Sequence, residues 1–187
     1  MATSEVAICN LALRRLGADP ITALTDNTDR ARACALAYPD TRDRLLDEIR
    51  PNFAVLFLGL AQVVAVPLYG YGHAYQLPPT VVRVLDIDEE EDWPWSRQGS
   101  LLLTDKPAVN ARCVVRVTDP TQCSPLFTAA LVCQLAADLA FSITKNHTLE
   151  QEKKAEAARE IAKAQAAEGA EGSTRVLQDD TLQQARR

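Results

Sequence analysis

Apolar residues first recur at helical spacing. Ile8, Cys9, Ala12, Leu13 and Leu16 fall three and four positions apart between Ser4 and Gly17. That spacing predicts a half-buried helix capped by Thr3 or Ser4 and closed by a glycine suited to the left-handed region. The same period returns in Ala31, Cys34, Ala35, Tyr38, Leu45, Leu46 and Ile49, predicting a second helix up to Pro51, with a kink or restart near Tyr38 because Pro39 removes a backbone hydrogen bond. Its opposite face carries Arg30, Arg32, Asp40, Arg42, Asp43, Arg44 and Asp47, mixed in sign at spacings that allow pairing. The stretch from Phe53 to Leu68 is apolar but too short for a membrane-spanning helix, and reads as core or interface.

From Tyr69 to Val117 the pattern shifts to short β-branched runs punctuated by glycine and proline. The clearest strands are Val81 to Ile87, Leu101 to Thr104 and Arg112 to Val117. In the last, Cys113, Val115 and Val117 alternate with Arg112, Val114 and Arg116, so one side is expected on a core and the other toward water or a neighbour. Ser124-Pro125 then opens a third helix, apolar on nearly all sides through Ile143 and therefore buried. Asp138 within it is expected to meet a partner on another helix or a subunit interface. A fourth helix is predicted from a capping box, Thr148 to Gln151, with a thin stripe of Leu149, Ala155, Ala158, Ile161 and Ala162, broken by the segment Gly169 to Gly172.

These elements predict a mainly α protein: a four-helix bundle (helices about 4–17, 27–50, 125–145 and 148–168) with a small antiparallel β region (about 69–117) between helices two and three. Residues 1–168 form the domain and 169–187 an extended tail. The tail carries Val176, Leu177 and Leu182 among polar residues and has no core of its own, the composition of a segment built to grip a partner.

Composition narrows the function. With 187 residues, 47% apolar, the chain can bury a core. The acidic run Asp86, Asp88, Glu89, Glu90, Glu91 and Asp92 alone outweighs the net charge of −5, so no basic face for sequence-specific DNA binding is expected. The run lacks the glycine turn and closing glutamate of a Ca²⁺ loop. It reads as a solvated loop or as a negative rim that repels DNA. The 5 cysteines form no CxxC pair and are odd in number, which predicts a reducing compartment rather than a disulfide framework. Met1-Ala2-Thr3-Ser4-Glu5 offers no secretory signal. With His73 and His147 as the only histidines, and without a GxxxxGK[ST] loop, GxGxxG after a strand or GxSxG elbow, neither a metal centre nor nucleotide or acyl-transfer chemistry is expected, and no cofactor.

The order of short motifs carries more. Glu5-Val6-Ala7-Ile8-Cys9-Asn10-Leu11-Ala12-Leu13-Arg14-Arg15-Leu16-Gly17 is followed by Tyr38-Pro39-Asp40-Thr41-Arg42-Asp43, Arg50-Pro51-Asn52-Phe53-Ala54 and Tyr75-Gln76-Leu77-Pro78. Then come Leu101-Leu102-Leu103-Thr104-Asp105, Val117-Thr118-Asp119-Pro120 and Leu135-Ala136-Ala137-Asp138-Leu139-Ala140. This succession, over most of residues 4–165, resembles the head-to-tail adaptor proteins of tailed bacteriophages, also called tail tubular protein A in short-tailed phages. The resemblance implies a structural protein of the virion neck, assembled in the host cytoplasm. It implies a homo-oligomeric ring of twelve copies beneath the portal protein that passes double-stranded DNA without reading its sequence. It also implies a downstream tail, nozzle or stopper partner and no membrane.

On that reading Arg175, Val176, Leu177, Leu182, Arg186 and Arg187 dock on the portal. Asp86, Asp88, Glu89, Glu90, Glu91 and Asp92 are candidates for the bore or rim, and Arg42, Leu56 and Phe57 for a subunit interface. Two departures bear on it. After Asn52-Phe53-Ala54 the family usually carries charge, where this chain has Val55-Leu56-Phe57-Leu58-Gly59-Leu60, consistent with a drier subunit contact or a repacked core. After Leu77-Pro78 the family often has a cysteine, where this chain has Val81 or Val82. The alternatives are a small cytoplasmic enzyme with a site near His73, Tyr75 and Asp138, and a helical interaction module with no viral role.

Overall fold

The computed structural model describes residues 4–64, 70–87 and 93–171. Four helices form: α1 (Glu5–Arg15), α2 (Asp29–Ile49), α3 (Pro125–Thr144) and α4 (His147–Ala170). Seven strands accompany them: β1 (Val55–Gly59), β2 (Ala61–Val63), β3 (His73–Gln76), β4 (Val81–Ile87), β5 (Trp95–Gln98), β6 (Leu101–Thr104) and β7 (Asn110–Val115). They build two antiparallel sheets, ordered β1-β7-β4 and β2-β3-β6-β5. The described residues are 52% helical and 21% strand, an α+β fold. The expectation of a four-helix bundle with a small β insert is thereby corrected: the β part begins at Val55, not near residue 69, and supplies two of three layers.

Local sequence explains most boundaries. Ser4 caps α1 by accepting from the Ala7 amide, and Gly17 at φ 70° turns the chain out of it. The loop that follows is stapled to α1 by Asn10, whose amide exchanges two hydrogen bonds with the Ile21 backbone at 2.8 and 2.9 Å. Ser124 caps α3 with Pro125 in its first turn. Asn146, not Thr148, caps α4, accepting from the amides of Thr148 and Leu149, because Lys145 at φ 55° already ends α3.

The expected restart near Tyr38 does not occur. α2 runs unbroken through Pro39; Pro39 and Ala35 both face outward, so water can satisfy the carbonyl that proline leaves without a donor. α4 ends at Ala170, within the expected segment Gly169 to Gly172, its last turn tied down by Glu168. The Asn52 amide donates to Glu168 Oε2 at 2.8 Å, Asn52 Nδ2 to the Glu168 carbonyl at 3.0 Å and Ser124 Oγ to Glu168 Oε1 at 3.2 Å.

α3 is the hub of the helical layer and meets each of the other helices. By length and composition it could cross a membrane, yet its apolar surface closes the largest core around Phe127, Leu131, Leu135 and Leu139. α4 packs on it through Ala157, Ile161 and Ala164 rather than the expected Ala155, Ala158 and Ala162, which are exposed.

The β1-β7-β4 sheet is the middle layer. Val114, with Val55, Val82 and Leu85 beside it, faces the helices. Cys113, Val115, Val81, Val84 and Ile87 face Tyr75, Leu77 and Leu102 of the second sheet. At Val114 both faces of β7 are therefore covered, which corrects the expectation that this side meets water there, while Asn110 and, beyond the strand, Arg116 on the same side are exposed. β4 reaches both cores because two register shifts, between Val81 and Arg83 and between Val84 and Asp86, interrupt its alternation.

Candidate assembly surface

The α2 motif that looked like a charged outer face folds into a polar seam. α2 packs against α3 on one side and against β4 and β7 on another, so part of the face opposite its apolar stripe is covered, while Arg32, Asp40 and Arg44 stay exposed. Thr41 and Arg42 are only 2% and 7% exposed. Arg42 Nε donates to Asp43 Oδ1 at 2.9 Å, and its guanidinium lies 6.0 Å from the Tyr38 ring centre. Asp43 accepts a second arginine, Arg116, at 2.6 Å. As a candidate interface residue Arg42 is thus placed inside its own chain.

One turn on, Arg83 of β4 grips Asp47 with both Nε and Nη2, the latter at 2.7 Å. The Arg83 hydrogen bonds hold the Asp47 carboxyl below its ordinary 3.8. A depressed carboxylate stabilises the fold above its unfolded value and loses that contribution as pH falls through the folded one. Asp47→Asn is therefore expected to be less stable than the wild type at pH 7, with the gap closing below about pH 4, the ordinary aspartate range. Urea midpoints at both pH values check it.

Leu56 and Phe57 lie elsewhere. Among the described residues β1 pairs only with β7 and β2 only with β3, so there residues 55–63 form one edge shared by both sheets, bending at Leu60, whose amide donates to the Val109 carbonyl at 3.0 Å. Phe57 stands opposite Arg112 and Leu56 opposite Cys113, so the two point to opposite faces of the sheet, and they are 66% and 47% exposed. No residue from Val55 to Val64 carries a charge. The other edges differ: β4 bears exposed Arg83 and Asp86, and Arg97 of β5 donates to the Val82 and Val81 carbonyls at 2.8 and 3.5 Å. Charge on an edge strand discourages pairing with another chain. Among the described residues one side of this β structure is guarded and the other is bare.

The remaining candidates separate. Asp86 is the last residue but one of β4 and accepts the Ile87 amide at 2.8 Å. Asp88, Glu89, Glu90, Glu91 and Asp92 lie outside the described residues, as do Arg175, Val176, Leu177, Leu182, Arg186 and Arg187. His73, Tyr75 and Asp138 each bond to a different group. His73 Nδ1 is 3.0 Å from Gln62 Nε2, the buried Tyr75 hydroxyl donates to the Lys106 carbonyl at 2.6 Å, and Asp138 is held by α2. His147 stacks on Phe141 with ring centres 4.2 Å apart.

Among the described residues no group of three or more His, Cys, Asp or Glu side chains converges. Burial pushes the Cys113 and Cys123 thiols up to about 11, while the hydrogen bond between Cys9 and Cys34 raises Cys9 and lowers Cys34. The bare edge and the tie between Glu168 and Asn52 were not read from sequence; the uncharged run from Val55 was the signal available for the first.

No family model matches this chain, and no curated protein matches it.

Proposed function

We propose that this chain is the head-to-tail connector of a tailed bacteriophage or phage-like particle, a ring subunit beneath the portal through which double-stranded DNA passes. The observation that carries the reading is the collinear order of adaptor-like motifs along residues 4–165. Their structural roles support it. Tyr38 to Asp43 builds the seam between the helices and the middle sheet, Asn52 anchors α4, and Asp138 joins α3 to α2. Each of these segments holds the fold together, as a protein whose work is assembly requires. The bare β1–β2 edge gives such a subunit an apolar surface, and the segment carrying Val176, Leu177 and Leu182 gives it a strap toward the portal; twelve such straps on one ring reinforce one another through high effective concentration.

Particles assembled without this chain test the reading. Capsids that fill but fail to join tails and lose their DNA are expected, with the chain located in the neck of wild-type particles by imaging. Tailed particles that retain DNA without the chain overturn it.

A further inference from the structure

We propose that Cys9 and Cys34 form a redox-reversible link between α1 and α2, two thiols in a reducing compartment and a disulfide once a small disulfide such as oxidised glutathione reaches them. Their placement comes from both helices. α1 buries Ile8, Cys9, Ala12 and Leu13, and the first half of α2 buries Ala31, Cys34 and Tyr38; both stripes belong to one core. Cys9, Ala12, Ala31 and Cys34 are small, and small side chains at a contact let two helix axes approach closely. Each of the two cysteines is 0% exposed, and their side chains hydrogen-bond each other. Cys113 and Cys133 belong to separate cores. The loop between the pair already has a set path, because Asn10, the residue after Cys9, binds the Ile21 backbone twice.

The contact prepares one partner to react. Cys9 keeps its proton and donates it toward Cys34, whose thiol is held below its ordinary 9.0, and the thiolate is the form that attacks a disulfide. Burial means that the small disulfide enters only during a local opening of the pair. The Cys34 thiolate then attacks one sulfur of the small disulfide and displaces one small thiolate. Cys9, deprotonated in turn, attacks the Cys34 sulfur and displaces the second. The two protein thiols have lost two electrons and two protons, and one small disulfide has become two small thiols. The closed core drives the second step: a close-packed interior has no room for the bound small molecule, whereas the internal bond occupies the space the two thiols already filled. The link goes beyond the connector reading and does not depend on it.

Oxidised glutathione added to the purified full chain at mildly alkaline pH tests the proposal. Remaining thiols are alkylated in denaturant and the linkages mapped by peptide mass spectrometry. Cys9 joined to Cys34 within one chain is expected, with the helical circular dichroism kept. The thermal midpoint is expected to rise by about 5–10 °C, because the bond restricts the unfolded chain between the two residues, and dithiothreitol should reverse the rise. Cys34→Ala should show neither the link nor the rise; where that variant folds poorly, the linkage map of the unaltered chain decides. Recovery of Cys9 and Cys34 as alkylated or singly glutathionylated residues overturns the proposal. So does a Cys9–Cys34 bond that lowers the midpoint, which would mean that the native packing must distort to make it. Particle assembly is not measured, so this result and the connector result fail separately.

Discussion

Replacing Phe127 by alanine is expected to lower the free energy of unfolding by about 3–5 kcal/mol, the cost of emptying a fully buried aromatic site. Phe127 is 0% exposed and sits in the first turn of α3, where the Ser124 cap fixes the helix start. Its ring meets Phe53 edge to face, with centroids 5.3 Å apart and planes at 82°, the arrangement favoured by the opposed charges of ring face and edge. Phe53 belongs to the short turn that hands the chain from α2 to β1. The pair therefore fastens the central helix to the entry of the middle sheet, and alanine removes both the buried area and the aromatic contact. Guanidinium unfolding should show a lower midpoint with an unchanged slope. Phe127→Leu, which keeps most of the volume, is expected to cost less than half as much. A loss under about 1 kcal/mol for alanine would mean that the site collapses freely and that the joint is not where the layers are held.

The helices were legible because their signals are local. Caps at Ser4 and Ser124, the turn at Gly17 and the stripe Ile8, Cys9, Ala12, Leu13 each depend on residues within one or two turns, and each stands as expected. What failed depends on neighbours distant in sequence. Val55 to Val63 has no alternation, because β1 lies against Ala111 to Val114 with a core on either side over part of its length; an apolar run of that kind carries no period that marks it as a strand. Val114 followed the predicted alternation, but the expectation that its face meets water overlooked a helical layer there. Alanine gave too little contrast to choose the buried side of α4, where Ala157 and Ala164 are covered and Ala155 and Ala162 are not.

The candidate surface divides along the same line. Leu56 and Phe57 stood out because uncharged residues occupy positions where charge was expected, and they are exposed on the bare edge. Arg42 is buried in the single chain because α2 has two packed sides. Once a sheet covers its second side, the Arg42 position is no longer a surface position, and the guanidinium must find its partner, Asp43, within the chain.

Asp138→Ala is expected to cost about 2–3 kcal/mol, the range for hydrogen bonds made to a charged acceptor and for leaving a buried donor unpaired. One carboxylate serves three donors on two helices. Oδ2 accepts from Thr41 Oγ1 at 2.8 Å and from Arg44 Nη2 at 2.6 Å, and Oδ1 from Gln134 Nε2 at 2.9 Å. Thr41 is 2% exposed, so its hydroxyl has no route to water once the acceptor is gone, whereas the half-exposed Arg44 side chain can turn outward. The loss should therefore reside mainly in the Thr41 contact. A double-mutant cycle between Thr41→Val and Asp138→Ala separates the two: coupling of about 1 kcal/mol or more is expected, and Thr41→Val alone should cost less than Asp138→Ala. Asp138→Asn keeps an acceptor but loses the charge toward Arg44, and is expected to fall between wild type and alanine. Additive losses in the cycle would show that Asp138 acts through Arg44, at the surface, and not as the buried link between α2 and α3.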